Sequence, residues 1–384
     1  MSDSAVPNRS VVGIRPSGPA SPATRRCLRR SAAPQATHRA GDRTEVTGGQ
    51  AYPAGLGTSA PYTHRAVSPE ISVVIATHNR PRSLAALLRS LAEQTLERDR
   101  FEVVVVDDGS EAAADVERMV SGVDGLDVTL LRHERARGHG AARNAGWRQA
   151  RAPLVAFTDD DCRASREWLS AILDTAASQE ASIVQGRVEP APEQLSELRP
   201  LSHTIVVVGL NRLFETCNVA YSRTLLDRLG GFDEALVLSG EDVDLGARAV
   251  KAGGRAAFAE RAVVYHEVRQ LGLRGMIRHT RKWVDAPRVL RRHPELRELL
   301  VARVFWKPTH PRLLLALAGV ATGARTRRVL PAVLAAGPYL AYYRRLYPGP
   351  LRPALNALPA HMVIDLCEVL TVAWGSIRYR AVML

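Results

Sequence analysis

Along the middle of this chain, apolar residues fall in short unbroken runs. Each run is closed by a polar cluster and followed by apolar residues at helical spacing. Ile71 to Ala76 is apolar and largely β-branched; Thr77-His78-Asn79-Arg80-Pro81 follows, and Leu84, Leu87, Leu88 and Leu91 then mark one face of a helix. Phe101 to Val106 repeats the pattern and ends in Asp107-Asp108-Gly109-Ser110 before a second helical segment. Val128 to Leu131 and Leu154 to Phe157 read as further strands, with the Ala-rich segment 140–150 between them. Strands alternating with helices predict an α/β fold with a mainly parallel sheet covered on both faces. Ligands of such sheets gather at the carboxyl ends of the strands. Three of these ends are polar: Thr77 to Arg80, Asp107-Asp108, and Thr158-Asp159-Asp160-Asp161.

The flanks read differently. Residues 1–69 are rich in Ser, Pro, Ala, Thr, Gly and Arg, keep no period, and lack the apolar core of a signal peptide, which predicts a disordered tail. A catalytic domain is expected over 70–267. From 268 to 384 short apolar runs alternate with arginines: Leu313 to Ala324 is charge-free for 12 residues and Val329 to Tyr343 for 15, while Met362 to Trp374 carries Asp365 and Glu368. None reaches the roughly 18 to 20 apolar residues of a simple spanning helix. They predict helices lying on, or hairpinned into, the anionic cytoplasmic face of a membrane, framed by Arg325, Arg327, Arg328, Arg344 and Arg345. A soluble helical subdomain is the alternative, with a cytoplasmic location.

Charge sharpens this division. The net charge of +13 over 384 residues is spread as +6 in 1–69, −7 in 70–261 and +14 in 262–384, so an acidic body lies between basic ends. No nucleic-acid-binding signature accompanies the arginines, and aromatics are only 5% of the chain, so a membrane surface accounts for the C-terminal excess better than nucleic acid does. The four cysteines (Cys27, Cys162, Cys217, Cys367) are scattered, which points to a reducing compartment.

Three consecutive carboxylates after a buried strand are costly unless a cation meets them. On an extended segment Asp159 and Asp161 project to one side and can share a metal, while Asp160 points away. Carboxylates suit Mg²⁺ or Mn²⁺, which complete their shells with water and substrate phosphate. The plain alternative is a solvated acidic turn capping the helix that begins near Arg166.

Five elements in order resemble the family 2 glycosyltransferases of the GT-A fold: Ile71 to Arg80, Val105 to Ser110, Gly140-Ala141-Ala142-Arg143-Asn144-Ala145-Gly146, Thr158 to Asp161, and Gly240-Glu241-Asp242-Val243-Asp244-Leu245. The resemblance covers about half of the chain, residues 70–265. It implies an inverting transfer of a sugar from a nucleotide-diphospho-sugar to an acceptor hydroxyl, with Mn²⁺ or Mg²⁺. Thr77, Asn79 and Arg80 close the first strand, where the family holds base and ribose, and Asp108 would accept a hydrogen bond from the base. Arg143 and Asn144 would face the diphosphate; the alternative for Arg143 is a helix-surface salt bridge. Asp159 would lie toward the ribose with Asp160 beside it, and Asp161 would hold the metal, with His266 a candidate further ligand. Cys162 is read as packing, since a thiol ligates hard cations poorly.

Asp242 would take the acceptor proton, with Glu241 the second candidate. Alternatively the acids of this segment complement a helix N-terminus. Asn218 would bond a sugar hydroxyl or satisfy buried backbone. The processive-synthase pattern Gln-x-x-Arg-Trp is not met by His279-Thr280-Arg281-Lys282-Trp283, which argues for transfer of a single sugar, in cell-envelope or lipid-linked glycan synthesis. A nucleotidyltransferase and a catalytically silent scaffold are the competing functions. The first usually carries a Gly-rich phosphate loop where this chain has Thr-His-Asn-Arg.

Overall fold

The computed structural model describes residues 68–347 and 351–384. The N-terminal tail read from the sequence lies outside them but for its last two residues. The first half follows the predicted alternation: strand β1 (Ile71–Thr77), helix α1 (Pro81–Ala92), β2 (Phe101–Asp107), α2 (Ala113–Ser121), β3 (Val128–Arg132), α3 (His139–Gln149) and β4 (Leu154–Asp159). Pro81 suits the first turn of α1, where its missing N–H costs nothing, and Leu84, Leu87, Leu88 and Leu91 are buried as the spacing predicts. Gly146 lets α3 lie directly on the sheet: a Cβ there would stand 2.4 Å from Val74 Cγ1.

The second half adds β5 (Cys162–Ala164), α4 (Trp168–Ser178), β6 (Ile183–Pro190), β7 (Ser202–His203), β8 (Val219–Ser222), α5 (Arg223–Leu229), α6 (Glu241–Lys251), β9 (Ala256–His266) and β10 (Arg269–Gln270). Eight strands form one sheet in the order β3-β2-β1-β4-β8-β6-β9-β5, and β7 pairs with β10 apart from it. Pairings among β3, β2, β1 and β4 are parallel, β8 is antiparallel to both neighbours, β6 and β9 are parallel, and β5 is antiparallel to β9. Apolar cores cover both faces, one around Ile71, Leu88, Trp168 and Val264, the other around Val74, Trp147, Phe157 and Leu245. The mixed, mainly parallel α/β sheet expected from the sequence is the one observed.

From Gly272 onward the chain is helical: α7 (Gly272–Thr280), α8 (Ala286–Arg292), α9 (Thr309–Thr326), α10 (Leu330–Leu346) and α11 (Leu351–Tyr379), with short 3-10 turns between. Leu236 and Ala247 of the sheet domain pack with Val289, Leu290, Leu296, Leu300, Val372 and Met383, so the helices close over the outer side of α6. One expectation is corrected here. Asp365 and Glu368 do not interrupt an apolar run; α11 continues through them for 29 residues, and Leu355–Tyr379 is long and apolar enough to cross a membrane. Both acids turn inward, where Tyr339 and Tyr343 donate to Asp365 and Lys307 pairs with Glu368, so their charge does not meet the outer face. That outer face exposes Val329, Leu334, Leu370, Trp374 and Ile377.

Candidate active site

Register brings the polar strand ends together. Thr77 lies opposite Asp107, and Ala76 opposite Asp159. Beyond Asp159 the chain turns through Asp160 and Asp161, then re-enters the sheet as β5, where Cys162 pairs with His266 of β9. This turn corrects the alternation expected of an extended segment. Asp160 and Asp161 stand together on one Arg80 nitrogen, at 2.8 and 2.9 Å, while Asp159 goes to Arg143 at 2.7 Å. Thr77 Oγ1 donates to Asp160 at 2.8 Å, which makes Thr77 a support for the triplet. Burial pushes the Asp160 carboxyl up to about 6, against the pull of Arg80 and with the push of Asp161.

The donors of this turn fit a hard divalent cation. His266 Nε2 lies 3.7 Å from Asp161 Oδ1. His266 Nδ1 donates to the Glu267 carbonyl oxygen at 2.9 Å, which leaves Nε2 as the nitrogen turned toward Asp161. Asp161, Cys162 and His266 bring one ligand atom each within 4.8 Å of one another. The Cys162 thiol is fully buried and its pKa is driven up by that burial, so it stays protonated and does not ligate. Asp159, engaged by Arg143, is outside this group.

Arg143 is the strut of the opposite wall. Its side chain is 5% exposed and holds Asp159 at 2.7 Å and Glu241 at 2.8 Å. It is therefore a buried bridge from the end of β4 to the start of α6, and the helix-surface salt bridge is ruled out. Burial opposes ionisation of Asp159, yet Arg143 holds its carboxyl below the ordinary range. Gly240, with φ of 91°, makes the left-handed entry into α6. Glu241 then points to Arg143, and Asp242 is left without a cationic partner among the described residues; its Oδ1 accepts from the Val243 N–H. Burial, reinforced by Glu241, pushes the Asp242 carboxyl up to about 8.

Other predicted ligands are engaged by the protein itself. Both amide hydrogens of Asn144 are donated, to Phe232 O and Glu234, while its oxygen accepts from Trp147 Nε1 and the Phe232 N–H. Asn218 is likewise buried, donating to Arg187 O and Ala262 O and accepting from Trp168 Nε1. Neither has a donor left for a sugar or diphosphate, so both readings are corrected to struts. Asp108 accepts from the backbone N–H groups of Arg137 and Gly138 and bonds the His133 ring, shaping the 133–138 loop. Asn79 adopts φ 57° and accepts from the Glu111 N–H, with its side chain exposed at the mouth of the site.

Sequence reasoning missed a cavity of about 210 Å³ between α6 and the C-terminal helices, lined by Asp242, His203, His279, Lys282, Trp283 and Trp306 among others. A signal was present. Of 52 Lys+Arg only three are lysine (Lys251, Lys282, Lys307), and the last two line this cavity. Where a chain uses arginine almost everywhere, the exceptional lysines mark places that want a compact ammonium.

Comparison with known proteins agrees with this architecture. Residues 72–232 match the family described as Glycosyl transferase family 2, and residues 209–286 match Glycosyltransferase like family 2. Glycosyltransferase AglE of Haloferax volcanii is 28% identical over 213 residues, 53% of this chain and 69% of that protein. Validoxylamine A glucosyltransferase of Streptomyces hygroscopicus subsp. jinggangensis is 34% identical over 219 residues, 47% of this chain and 51% of that protein. The mannosyltransferase PcManGT of Pyrobaculum calidifontis, solved with GDP-Man and Mn²⁺, shares the fold with a TM-score of 0.59 at 23% identity, over 80% of this chain and 88% of that one. Fold and acidic strand ends together define a GT-A glycosyltransferase. Within that class the chain belongs to the family 2 glycosyltransferases, the matches spanning residues 72–286.

Proposed function

We propose that this chain is an inverting transferase that moves a single sugar from a nucleotide-diphospho-sugar to an acceptor hydroxyl. The observation that carries the reading is the division of labour in Glu241-Asp242: Arg143 engages the first, and the second faces the cavity as an unpaired carboxyl with a raised pKa. Asp161 and His266, with Asp160 beside them, would hold Mn²⁺ or Mg²⁺, which when bound supplies charge neutralisation for a leaving diphosphate. Arg80, whose side chain is 35% exposed, would move from Asp160 and Asp161 to phosphate oxygens. In the transfer step the acceptor oxygen bonds to the anomeric carbon as the bond to diphosphate breaks. The electron pair leaves with the nucleoside diphosphate, and the hydroxyl proton passes to Asp242. Inversion follows because attack comes from the face opposite the leaving group.

We assign catalysis to 70–267, and to α9–α11 an attachment to the cytoplasmic face of a membrane. The exposed apolar residues of these helices and the arginines around them support that assignment. GDP-Man and Mn²⁺, the ligands of the structural neighbour, are the first to try, alongside UDP- and dTDP-sugars. Asp242→Asn is the test. It should keep donor and metal affinity and lose transfer by roughly 10²-fold or more, and the parent product should carry the anomeric configuration opposite to the donor's. A retained configuration, or near-normal transfer by Asp242→Asn, overturns the mechanism.

A further inference from the structure

The cavity beside Asp242 has two unlike kinds of lining. One is apolar: the Trp283 and Trp306 rings, 4.8 Å apart, with Met276, Leu290 and Leu300, open at a rim where Leu299 is 43% exposed. The other is a set of polar groups without partners. Trp283 Nε1 and His203 Nδ1 are buried and have no hydrogen-bond partner among the described residues. Lys282 Nζ has neither a hydrogen bond nor an ion pair among them; it sits over the Trp283 ring at 4.6 Å. Unmet polar groups in a buried place are costly, and a ligand rich in oxygen relieves that cost for the Trp283 and Lys282 donors.

Charge points the same way. Lys307 is neutralised by Glu368 at 2.6 Å. Burial keeps the His203 and His279 rings far below the ordinary histidine range, hence neutral, and it pushes Asp242 up to about 8. Burial also lowers Lys282, but only to about 8, so at pH 7 it stays largely cationic with no ion pair among the described residues, while Glu215, an acid of the same lining, is engaged by Gln185 and Asn211. Its volume of about 210 Å³ is below the roughly 300 Å³ at which pockets for whole small ligands begin, so it suits part of a ligand rather than a nucleotide-sugar.

We propose that this cavity receives the acceptor, and that the acceptor is an amphiphile: an apolar chain against Trp283 and Trp306 that carries a phosphate group paired with Lys282 and so brings its acceptor hydroxyl to Asp242. The inference rests on the transferase reading above and names the substrate class for it. The phosphate fixes the head, the tryptophan wall fixes the chain, and the chain leaves past Leu299.

The test uses the full-length protein and three probes below their micelle concentrations, followed by calorimetry: decyl phosphate, decyl maltoside and glucose 6-phosphate. Each is titrated into the parent, Lys282→Met and Lys282→Arg. The difference between parent and Lys282→Met cancels adsorption to the exposed apolar face, which the substitution leaves untouched. Decyl phosphate should bind the parent about tenfold or more tighter than Lys282→Met, with Lys282→Arg between them. Decyl maltoside should not distinguish the proteins, and glucose 6-phosphate should not bind. Equal affinity of decyl phosphate for parent and Lys282→Met overturns the proposal, and so does tight, Lys282-dependent binding of glucose 6-phosphate, which would mean a soluble sugar phosphate. Nucleoside diphosphate with Mn²⁺ is titrated in parallel. If it binds while decyl phosphate does not, the amphiphile alone falls; if it fails to bind the parent, the transferase reading beneath it falls.

Discussion

Replacing Arg143 by Met removes the cation that joins the end of β4 to the start of α6 while keeping most of its apolar stem. Breaking a buried ion pair from one side costs about 3–5 kcal/mol, because a desolvated charge is left alone. Here two carboxylates are left. Asp159 is 27% exposed and regains water, whereas Glu241 at 10% does not, and Arg143 Nε already lacks a partner. These features place the expected loss near the lower end, about 3 kcal/mol, or roughly 6–12 °C at about 2–4 °C per kcal/mol. Urea unfolding followed by circular dichroism measures it. Adding Glu241→Gln to Arg143→Met should return roughly 1–2 kcal/mol, since the residual buried charge is removed. The pH dependence has a definite sign. In the parent, Asp159 is held below its unfolded pKa, so its stabilisation is full above that unfolded value and is lost as pH falls through the folded one. Arg143→Met should lose this acid-side slope. A cost below about 1 kcal/mol, or a further loss on adding Glu241→Gln, would refute the strut.

Other predictions follow from the same geometry. A general base works deprotonated, so transfer should rise with pH through about 8. That limb should vanish from the residual activity of Asp242→Asn, as a pH–kcat profile would show. Gly146→Ala forces a Cβ to 2.4 Å from Val74 Cγ1 and should cost about 1–3 kcal/mol in urea unfolding; a neutral substitution would mean that α3 lies off the sheet. The protein should float with vesicles containing anionic lipid. High salt should weaken this association without abolishing it, because arginines and an apolar face act together; complete release by salt would remove the apolar contribution.

What the sequence made legible follows from how local each signal is. Ile71–Thr77, Pro81–Ala92 and Phe101–Asp107 carry their periodicity within a dozen residues, so the parallel half of the sheet and its polar strand ends could be read directly. The antiparallel half could not, since β8 is placed by its partners β4 and β6. Asp159 and Asp161 were expected on one side because extended backbone alternates; the chain turns at Asp160, and that turn depends on pairing between Cys162 and His266, which are far apart in sequence. Asn144 reads as a diphosphate contact and Asn218 as a sugar contact because their hydrogen-bond partners Phe232 and Ala262 are remote in sequence. Asp365 and Glu368 looked like interruptions, since no local pattern reveals that Tyr339, Tyr343 and Lys307 await them inside. Lys282 was passed over within a failed motif match, although the rarity of lysine in an arginine-rich chain already set it apart.

The central claim is that the strand-end acids form a cation-dependent site for a nucleoside diphosphate. Titrating GDP and UDP into the protein by calorimetry, with and without Mn²⁺, tests it most directly. At least one of them should bind about tenfold or more tighter with Mn²⁺, and Asp161→Asn should lose most of that gain while unfolding at the parent's temperature. Equal affinity with and without Mn²⁺, or an undiminished Mn²⁺ effect in Asp161→Asn, would contradict the account.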